Sequence, residues 1–344
     1  MKNINKVDVK EFLTKESCLY DYSKSLCIYN VSQSDFEKLK EKLINDFDND
    51  IEIICNLEDG EVKAYSKDLI YAKSYTIEGS HFLDRKHYTF TDLVDLMGIL
   101  RSENGCPWDR VQTNDSIKSN VIEEAYELVE AIEKNDKESM IEEAGDVLLQ
   151  TVFHSKIAKD KGLFSLTDVI NALCTKLITR HTHVFGETKT KNSNEAISSW
   201  EKAKSIEKSQ KTVGDKLDSV PKTFGSVMRA HKVQKIVRKT GFDFDDAKSA
   251  KQKIFEELDE IEKSKSRENL EWEAGDVLFA AVNYIRMLGV DPEIALNNCT
   301  SRFIERFKHI EKKALENNVE LKHKNMDILE KYYQDSKRFE NQVE

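Results

Sequence analysis

Two groups of acidic residues have the residue types and the spacing of a metal site. In each group a Glu-Glu-x-x-Glu segment is followed by a Glu-x-x-Asp segment. Residues three or four positions apart share a face of a helix, so two neighbouring helices would bring four carboxylates together. Such a site suits a hard divalent cation. The segments are Glu123-Glu124-Ala125-Tyr126-Glu127 with Glu143-Ala144-Gly145-Asp146, and Glu256-Glu257-Leu258-Asp259-Glu260 with Glu273-Ala274-Gly275-Asp276.

The context of these segments distinguishes them from ordinary charged surface. In a chain with 63 acidic residues, a single acidic motif is more typical of a solvated helix face. Here each Glu-x-x-Asp precedes an apolar run, at 147–153 and 277–282, and the whole arrangement occurs twice. The duplication favours a metal site in at least one copy. Oxygen ligands favour Mg²⁺, or else Mn²⁺, over iron or zinc.

The helix that carries the first Glu-Glu-x-x-Glu also has an apolar stripe. Glu124 lies beside the edge of that stripe and Glu127 next to it, whereas Glu123 and Glu130 point away. The stripe predicts burial of one helix face, and the run at 147–153, apolar nearly all round, predicts a buried helix. Gly145 and its counterpart Gly275 stand inside helices, where each costs about 1 kcal/mol relative to alanine. We expect close approach of a neighbouring helix or of a ligand to offset that cost.

Basic residues are duplicated together with the acidic ones. A Mg²⁺ site with few carboxylates completes its coordination with water and substrate phosphates. Lys176 and Arg180 lie four positions apart on a predicted helix, as do Arg302 and Arg306 in the second copy. Alone they would indicate a solvated helix end; duplicated, they indicate a clamp for phosphates.

The helical pattern divides the chain. Apolar residues at helical spacing predict helices at 90–100, 116–134, 137–159 and 166–180. Before them, β-branched and aromatic runs predict strands at 25–31 and 51–55, with a helix at 35–47 between them. We therefore predict a mainly α protein with a small α/β module at 1–88, a first helical domain at 89–204, a linker at 205–222 and a second helical domain at 223–344.

Composition limits the classes of function. The net charge of −10 argues against general nucleic-acid binding. The sequence contains no apolar run near the roughly 20 residues that span a bilayer, and its six cysteines form no Cys-x-x-Cys pair. We expect a cytoplasmic protein with reduced thiols and neither nucleic-acid nor membrane partners.

The motifs together resemble the MazG family of nucleoside triphosphate pyrophosphohydrolases. The resemblance rests on both acidic pairs and on two further segments, Gly105-Cys106-Pro107-Trp108-Asp109 and Arg180-His181-x-His183-Val184-Phe185. It implies tandem all-α helical-bundle domains, Mg²⁺ dependence and hydrolysis of nucleoside triphosphates to the monophosphate and pyrophosphate. It also implies a homodimer, because the family builds its helical core between paired domains.

The resemblance further implies a role for individual residues. The implied metal ligands are Glu124, Glu127, Glu143 and Asp146, then Glu257, Glu260, Glu273 and Asp276. The implied nucleotide contacts are Lys176, Arg180 and Trp200, then Lys253, Arg302, Arg306 and Tyr333. The second copy departs from the first in having Phe-Asp-Phe for Cys-Pro-Trp, Arg302 for lysine and Tyr333 for tryptophan. Residues 1–88 resemble the tail of a tetrapyrrole methylase domain, but they have no glycine-rich cofactor loop, so we predict no methyltransferase activity.

The mechanism expected from this resemblance is in-line attack of a metal-activated water on the α-phosphorus. Glu123 or Glu256, beside the ligands Glu124 and Glu257, is the expected proton acceptor. Two alternatives stay open: a non-catalytic helical dimer that senses nucleotide or metal, and a pyrophosphohydrolase of another nucleotide such as an alarmone.

Overall fold

The computed structural model describes residues 4–47, 49, 51–186 and 189–340, with side chains up to 337. The chain divides into two compact units, Met1–Ile178 and Thr179–Glu344. The described residues are mainly helical, with one small sheet near the N-terminus. The predicted fold class is therefore confirmed, whereas the predicted domain limits stay predictions. No helix among the described residues is long and apolar enough to cross a membrane.

The sheet belongs to a small α/β module at the start of the first unit. Its strand order is β1-β2-β5-β3-β4; β1 and β2 are parallel, and the other neighbours are antiparallel. The predicted strands at 25–31 and 51–55 and the helix at 35–47 are confirmed by β2, β3 and α2. The elements are β1 Ile4–Asp8, α1 Val9–Thr14, β2 Ser25–Tyr29, α2 Gln33–Phe47, β3 Glu52–Leu57, β4 Gly60–Tyr65 and β5 Ser74–Ile77.

The remainder of the first unit is helical, and its helices follow the predicted bounds closely. Thr89 and Asp92 form a capping box at the start of α3, which fixes that start at Phe90. Helices α5 and α6 pack along each other. A core of Met97, Ile117, Val152, Phe153 and Ile157 joins α3 to α6. The helices are α3 Phe90–Leu100, α4 Pro107–Val111, α5 Asn120–Glu133, α6 Lys137–Asp160 and α7 Leu166–Arg180, the last of which spans the division between the units.

The second unit repeats the paired acidic helices. Helices α12 and α13 pack along each other, α11 packs against α13, and α14 packs against α15. The predicted linker at 205–222 contains the helix α10, which starts with a capping box of Thr212 and Asp215. The helices are α8 Thr182–Phe185, α9 Ser193–Glu207, α10 Val213–Asp218, α11 Ser226–Val237, α12 Ala247–Lys263, α13 Arg267–Met287, α14 Pro292–Glu316 and α15 Met326–Glu340.

One expectation about packing is wrong within the single chain, and another holds only in part. The apolar stripe of α5 is not buried, because Ile122 is 56% exposed. In the predicted buried run of α6, Val152 and Phe153 are buried but Leu148 is 43% exposed. A Cβ atom placed on Gly145 or Gly275 would also meet no atom of another described element within 4 Å, so no other helix that the structure describes approaches these glycines. Surfaces that the sequence pattern marks as packed are therefore open in one chain.

Candidate metal and nucleotide site

The first acidic cluster forms between α5 and α6. Glu124 and Glu127 come from α5 and Glu143 from α6, and one ligand oxygen from each lies within 4.8 Å of the others. Glu124 and Glu143 are half-buried, while Glu127 is exposed. This arrangement brings three of the four predicted ligands together. Asp146 lies outside the set of three but close enough to affect Glu124.

Electrostatics in this cluster favour a bound cation. Burial raises the pKa of Glu124, and the Asp146 carboxylate raises it further. Burial followed by the Glu127 charge raises the pKa of Glu143. A hydrogen bond from Gln150 Nε2 to Glu124 Oε1, at 3.3 Å, lowers the pKa of Glu124 and so offsets part of this rise. A divalent cation would relieve this repulsion, and the ligand atoms are carboxylate oxygens, so the residues fit Mg²⁺ or Mn²⁺.

The second cluster forms between α12 and α13 in the same way. Glu257, Glu273 and Asp276 place one ligand oxygen each within 4.8 Å of the others. Burial raises the pKa of Glu273, and the neighbouring Glu260 carboxylate adds to that shift. Glu260 is the predicted ligand outside this set. The second cluster therefore has the same donor chemistry as the first and fits the same cations.

A lysine distinguishes the second cluster. Lys253 Nζ lies 2.7 Å from Glu256 Oε1 and 2.6 Å from Glu257 Oε1. These contacts raise the pKa of Lys253, Glu256 contributing most. The two predicted proton acceptors differ in their surroundings. Glu256 forms an ion pair with Lys253, whereas the side chain of Glu123 is exposed to solvent. Lys253, predicted to contact nucleotide, lies directly at the acidic cluster.

The predicted basic clamps each contain an arginine stacked on an aromatic ring. The Arg180 guanidinium carbon lies 5.1 Å from the centre of the Trp200 ring, and that of Arg306 lies 5.7 Å from the centre of the Tyr333 ring. Arg180 is buried, and its Nε and Nη2 donate to the Glu207 carboxylate at 2.8 Å and 2.9 Å. The structure thus pairs the predicted nucleotide contacts Arg180 with Trp200 and Arg306 with Tyr333. Of their predicted companions, Lys176 is half-buried and Arg302 is exposed.

The sequence analysis did not identify several residues that the structure places at these sites. Glu207 pairs with Arg180 across 27 positions, and Gln150 reaches Glu124 across 26. A cavity of about 620 Å³ beside the second cluster is lined by Lys253, Glu257 and Asp276 and also by Gln234 and Asn283. Only the helical spacing of Gln150, four positions after Asp146, could have indicated a role near the ligands.

Comparisons with known proteins agree with these features. Residues 112–185, which hold the first acidic cluster, match the family described as the MazG nucleotide pyrophosphohydrolase domain. A Thermotoga maritima protein named nucleoside triphosphate pyrophosphohydrolase/pyrophosphatase MazG is 41% identical over 248 residues, covering 72% of this chain and 95% of that protein. The nucleoside triphosphate pyrophosphohydrolase of Escherichia coli K12 is 37% identical over 254 residues, covering 72% of this chain and 97% of that protein.

Two further similarities are more limited. The uncharacterized protein YabN of Bacillus subtilis is 39% identical over 258 residues, which cover 74% of this chain and 53% of that protein. The crystal structure of a mazG-related protein from Thermotoga maritima aligns with a TM-score of 0.30 and 26% identity, covering 33% of this chain and 97% of that one.

Proposed function

The chain belongs to the MazG family, and from this membership we propose that it hydrolyses nucleoside triphosphates to the nucleoside monophosphate and pyrophosphate. The observation that carries the proposal is the duplicated cluster of carboxylates, in which burial and mutual repulsion raise the pKa of Glu124, Glu143 and Glu273. The names of the Thermotoga maritima and Escherichia coli relatives support the reaction. We also propose that the reaction cleanses or regulates the cytoplasmic nucleotide pool.

The proposed cofactor is Mg²⁺, with Mn²⁺ as a substitute. Glu124, Glu127 and Glu143 would hold it in the first unit, and Glu257, Glu273 and Asp276 in the second. Asp146 and Glu260, which interact with members of these sets, complete the proposed ligands. When bound, the cation lowers the pKa of a water molecule and neutralises phosphate charge.

The residues of the chain have separate proposed tasks around this centre. Lys253 already contacts the second cluster and would bind a phosphate oxygen there. Lys176 and Arg180, or Arg302 and Arg306, would stabilise the charge of the departing pyrophosphate, with Trp200 and Tyr333 orienting the arginines through the stacking described above. Glu123 and Glu256, next to the ligands Glu124 and Glu257, remain the proposed acceptors of the proton from the attacking water.

We propose that the enzyme is a homodimer. Large apolar side chains are exposed on the helices of both clusters: Ile122 is 56% and Ile141 65% exposed, and Trp272 is 71% and Leu278 69% exposed. Exposed apolar side chains grouped on the same helices are typical of association surfaces. Sedimentation equilibrium should give twice the chain mass of 39.8 kDa, and the Ile122→Glu and Leu278→Glu substitutions should shift it towards the monomer.

Carboxylate-to-amide substitutions test the proposed reaction. Wild-type protein with Mg²⁺ should release pyrophosphate and the nucleoside monophosphate from nucleoside triphosphates. The Glu124→Gln, Glu257→Gln double variant should lose this release, because one ligand of each cluster loses its charge while its shape is kept. Unchanged release would exclude these clusters as the active sites. Binding without any hydrolysis by the wild type would favour the sensor alternative, and diphosphate with inorganic phosphate as products would favour cleavage of another bond.

A further inference from the structure

The cavity beside the second acidic cluster is large enough for a nucleobase and has two polar groups of fixed orientation. Its volume is about 620 Å³, and Glu257 and Asp276 form part of its lining. Phe244 and Phe279 are also among its lining residues, and aromatic rings offer stacking surfaces for a planar base. A nucleotide whose phosphates lie at the carboxylates could therefore extend its base into this space.

The first fixed group is the side chain of Gln234. It is 7% exposed, and its Nε2 donates to the Phe279 backbone carbonyl at 2.8 Å. Because only the NH₂ group can donate to a carbonyl, this bond assigns the amide orientation and leaves Oε1 as an acceptor. Oε1 is buried and has no hydrogen-bond partner among the described residues. A buried acceptor without a donor is unfavourable, so a ligand N–H that reaches it would be bound strongly.

The second fixed group is the amide of Asn283, which is held by an arginine. Arg286 is 6% exposed. Its Nη2 donates to the two carboxylate oxygens of Asp243 at 2.6 Å and 2.7 Å. Its Nε donates to Asn283 Oδ1 at 3.0 Å. This contact uses the oxygen of the amide, so Nδ2 is the group that Asn283 offers to a ligand. Asn283 is half-buried and therefore lies nearer to solvent than Gln234.

The corresponding place in the first unit lacks both amides. Gln234 lies seven positions before Gly241, and the residue at the same distance before Gly105 is Gly98. Asn283 lies seven positions after Asp276, and the residue at the same distance after Asp146 is Phe153. Phe153 is 4% exposed within the core that joins α3 to α6. The two amides are thus specific to the second copy, where the homologous position opens into a cavity instead of a packed core.

We propose that this cavity binds the nucleobase of the substrate and that Gln234 and Asn283 select bases with an amino group at the 6-position of a purine or the 4-position of a pyrimidine, which are adenine and cytosine. The proposal rests on the proposed function. The 6-position of a purine and the 4-position of a pyrimidine lie far from the glycosidic bond, so they enter deepest. There the Gln234 acceptor pairs with an amino group and repels a carbonyl oxygen. The adjacent ring nitrogen accepts from Asn283 Nδ2 in adenine and cytosine, but it carries a proton in guanine, hypoxanthine and uracil.

The experiment compares ATP with ITP, which differ only at the 6-position, and CTP with UTP. Full-length protein carrying Glu124→Gln restricts hydrolysis to the second cluster, and pyrophosphate release with Mg²⁺ gives kcat/KM. We expect preferences for ATP and CTP on the order of 10- to 100-fold, the effect of one unpaired buried acceptor. In the same background, the Gln234→Met substitution keeps the side-chain volume. It should lower kcat/KM for ATP and CTP, so that both preferences fall to about threefold or less.

Controls separate this inference from the function on which it rests. Gln252→Met places the same change on an exposed residue of α12 and should leave both preferences intact. Far-UV circular dichroism checks the fold of each variant. Equal hydrolysis of ATP and ITP, or a preference unchanged by Gln234→Met, would overturn the inference while leaving the reaction established. If no triphosphate is hydrolysed, the proposed function fails; calorimetric Kd values for α,β-methylene ATP and its inosine counterpart then decide, and equal values reject base selection.

Discussion

Lys253 Nζ lies 2.6 Å from Glu257 Oε1, so a protein cation already neutralises one carboxylate of the second cluster. The Glu257 side chain is 7% exposed and that of Lys253 is 34% exposed, which leaves the lysine able to turn outward when another cation arrives. The contact therefore places a proposed phosphate-binding group and a proposed metal ligand in one ion pair. Binding of a divalent cation to the carboxylates would release Lys253, which would then be able to bind a substrate phosphate.

The Lys253→Met variant tests this exchange. Loss of the lysine removes the competitor of the metal, so the Mg²⁺ concentration for half-maximal thermal stabilisation should fall by about 1.5- to 5-fold, as expected for one lost ion-pair contact near the protein surface. Loss of the phosphate contact should at the same time raise KM for the nucleotide. Thermal-shift titration and steady-state kinetics measure the two effects. Lys251→Met, on an exposed residue of the same helix, serves as the control; an unchanged KM in Lys253→Met would contradict the phosphate role.

The two mid-helix glycines lead to a second prediction. Among the residues that the structure describes, no other element lies within 4 Å of a Cβ atom placed on Gly145 or Gly275, so alanine fits the single chain at both positions. Each Gly→Ala change should raise the free energy of unfolding by about 0.5–1 kcal/mol through the helical preference of alanine. We expect catalytic efficiency to fall at the same time, because the open space lies beside the carboxylates where a ligand or partner helix would approach.

Urea unfolding and pyrophosphate release measure these opposite effects. The reverse change Ala144→Gly, at an exposed neighbour on α6, should lower stability by a similar amount. Destabilisation by Gly145→Ala or Gly275→Ala would mean that something else already occupies the space.

The burial of His154 leads to a prediction of how the stability of the protein changes with pH. Burial lowers the pKa of His154, its Nδ1 lies 2.9 Å from Asn114 Oδ1, and its Nε2 has no partner among the described residues. A histidine whose pKa is lower in the folded state binds protons preferentially in the unfolded state. The protein should therefore lose stability as the pH falls through about 6.5, the ordinary histidine pKa. The Tm of the His154→Gln variant should fall less between pH 7.5 and 5.5, and an identical fall would exclude His154.

The sequence predicts the helices and acidic sets well because both depend on local spacing. The start of α3 follows from Thr89 and Asp92, and the acidic sets follow from residues three or four positions apart on one helix. Strand β4 has no such signal, since it is an edge strand whose residues are mostly exposed. The orientation of the Gln234 amide is set by a hydrogen bond to a backbone carbonyl 45 positions away, which no local pattern encodes.

The apolar stripes show why periodicity predicts a buried face but not what covers it. Hydrophobic spacing on α5 indicates burial, yet Ile122 and Ile132 are exposed in the single chain. The same pattern results whether a helix packs within its own chain or against a second one. The predicted burial of this face is therefore wrong for the single chain. Sedimentation of the apolar-to-glutamate variants tests whether a second chain covers it.

The last prediction concerns the clustered carboxylates, which destabilise the metal-free protein but are the proposed ligands of the cation. The raised pKa values of Glu143 and Glu273 mean that their charged forms are disfavoured in the folded protein without metal. Glu143→Gln and Glu273→Gln should therefore raise the Tm in EDTA at pH 7.5. Addition of Mg²⁺ should raise the Tm of the wild type above that of either variant, because only intact clusters bind the ion fully. Glu138→Gln, at an exposed position of the first turn of α6, should lower the Tm slightly and equally in EDTA and in Mg²⁺, because it removes a favourable charge at the helix N-terminus. A wild-type Tm that is the same in EDTA and Mg²⁺ would contradict metal binding at both clusters.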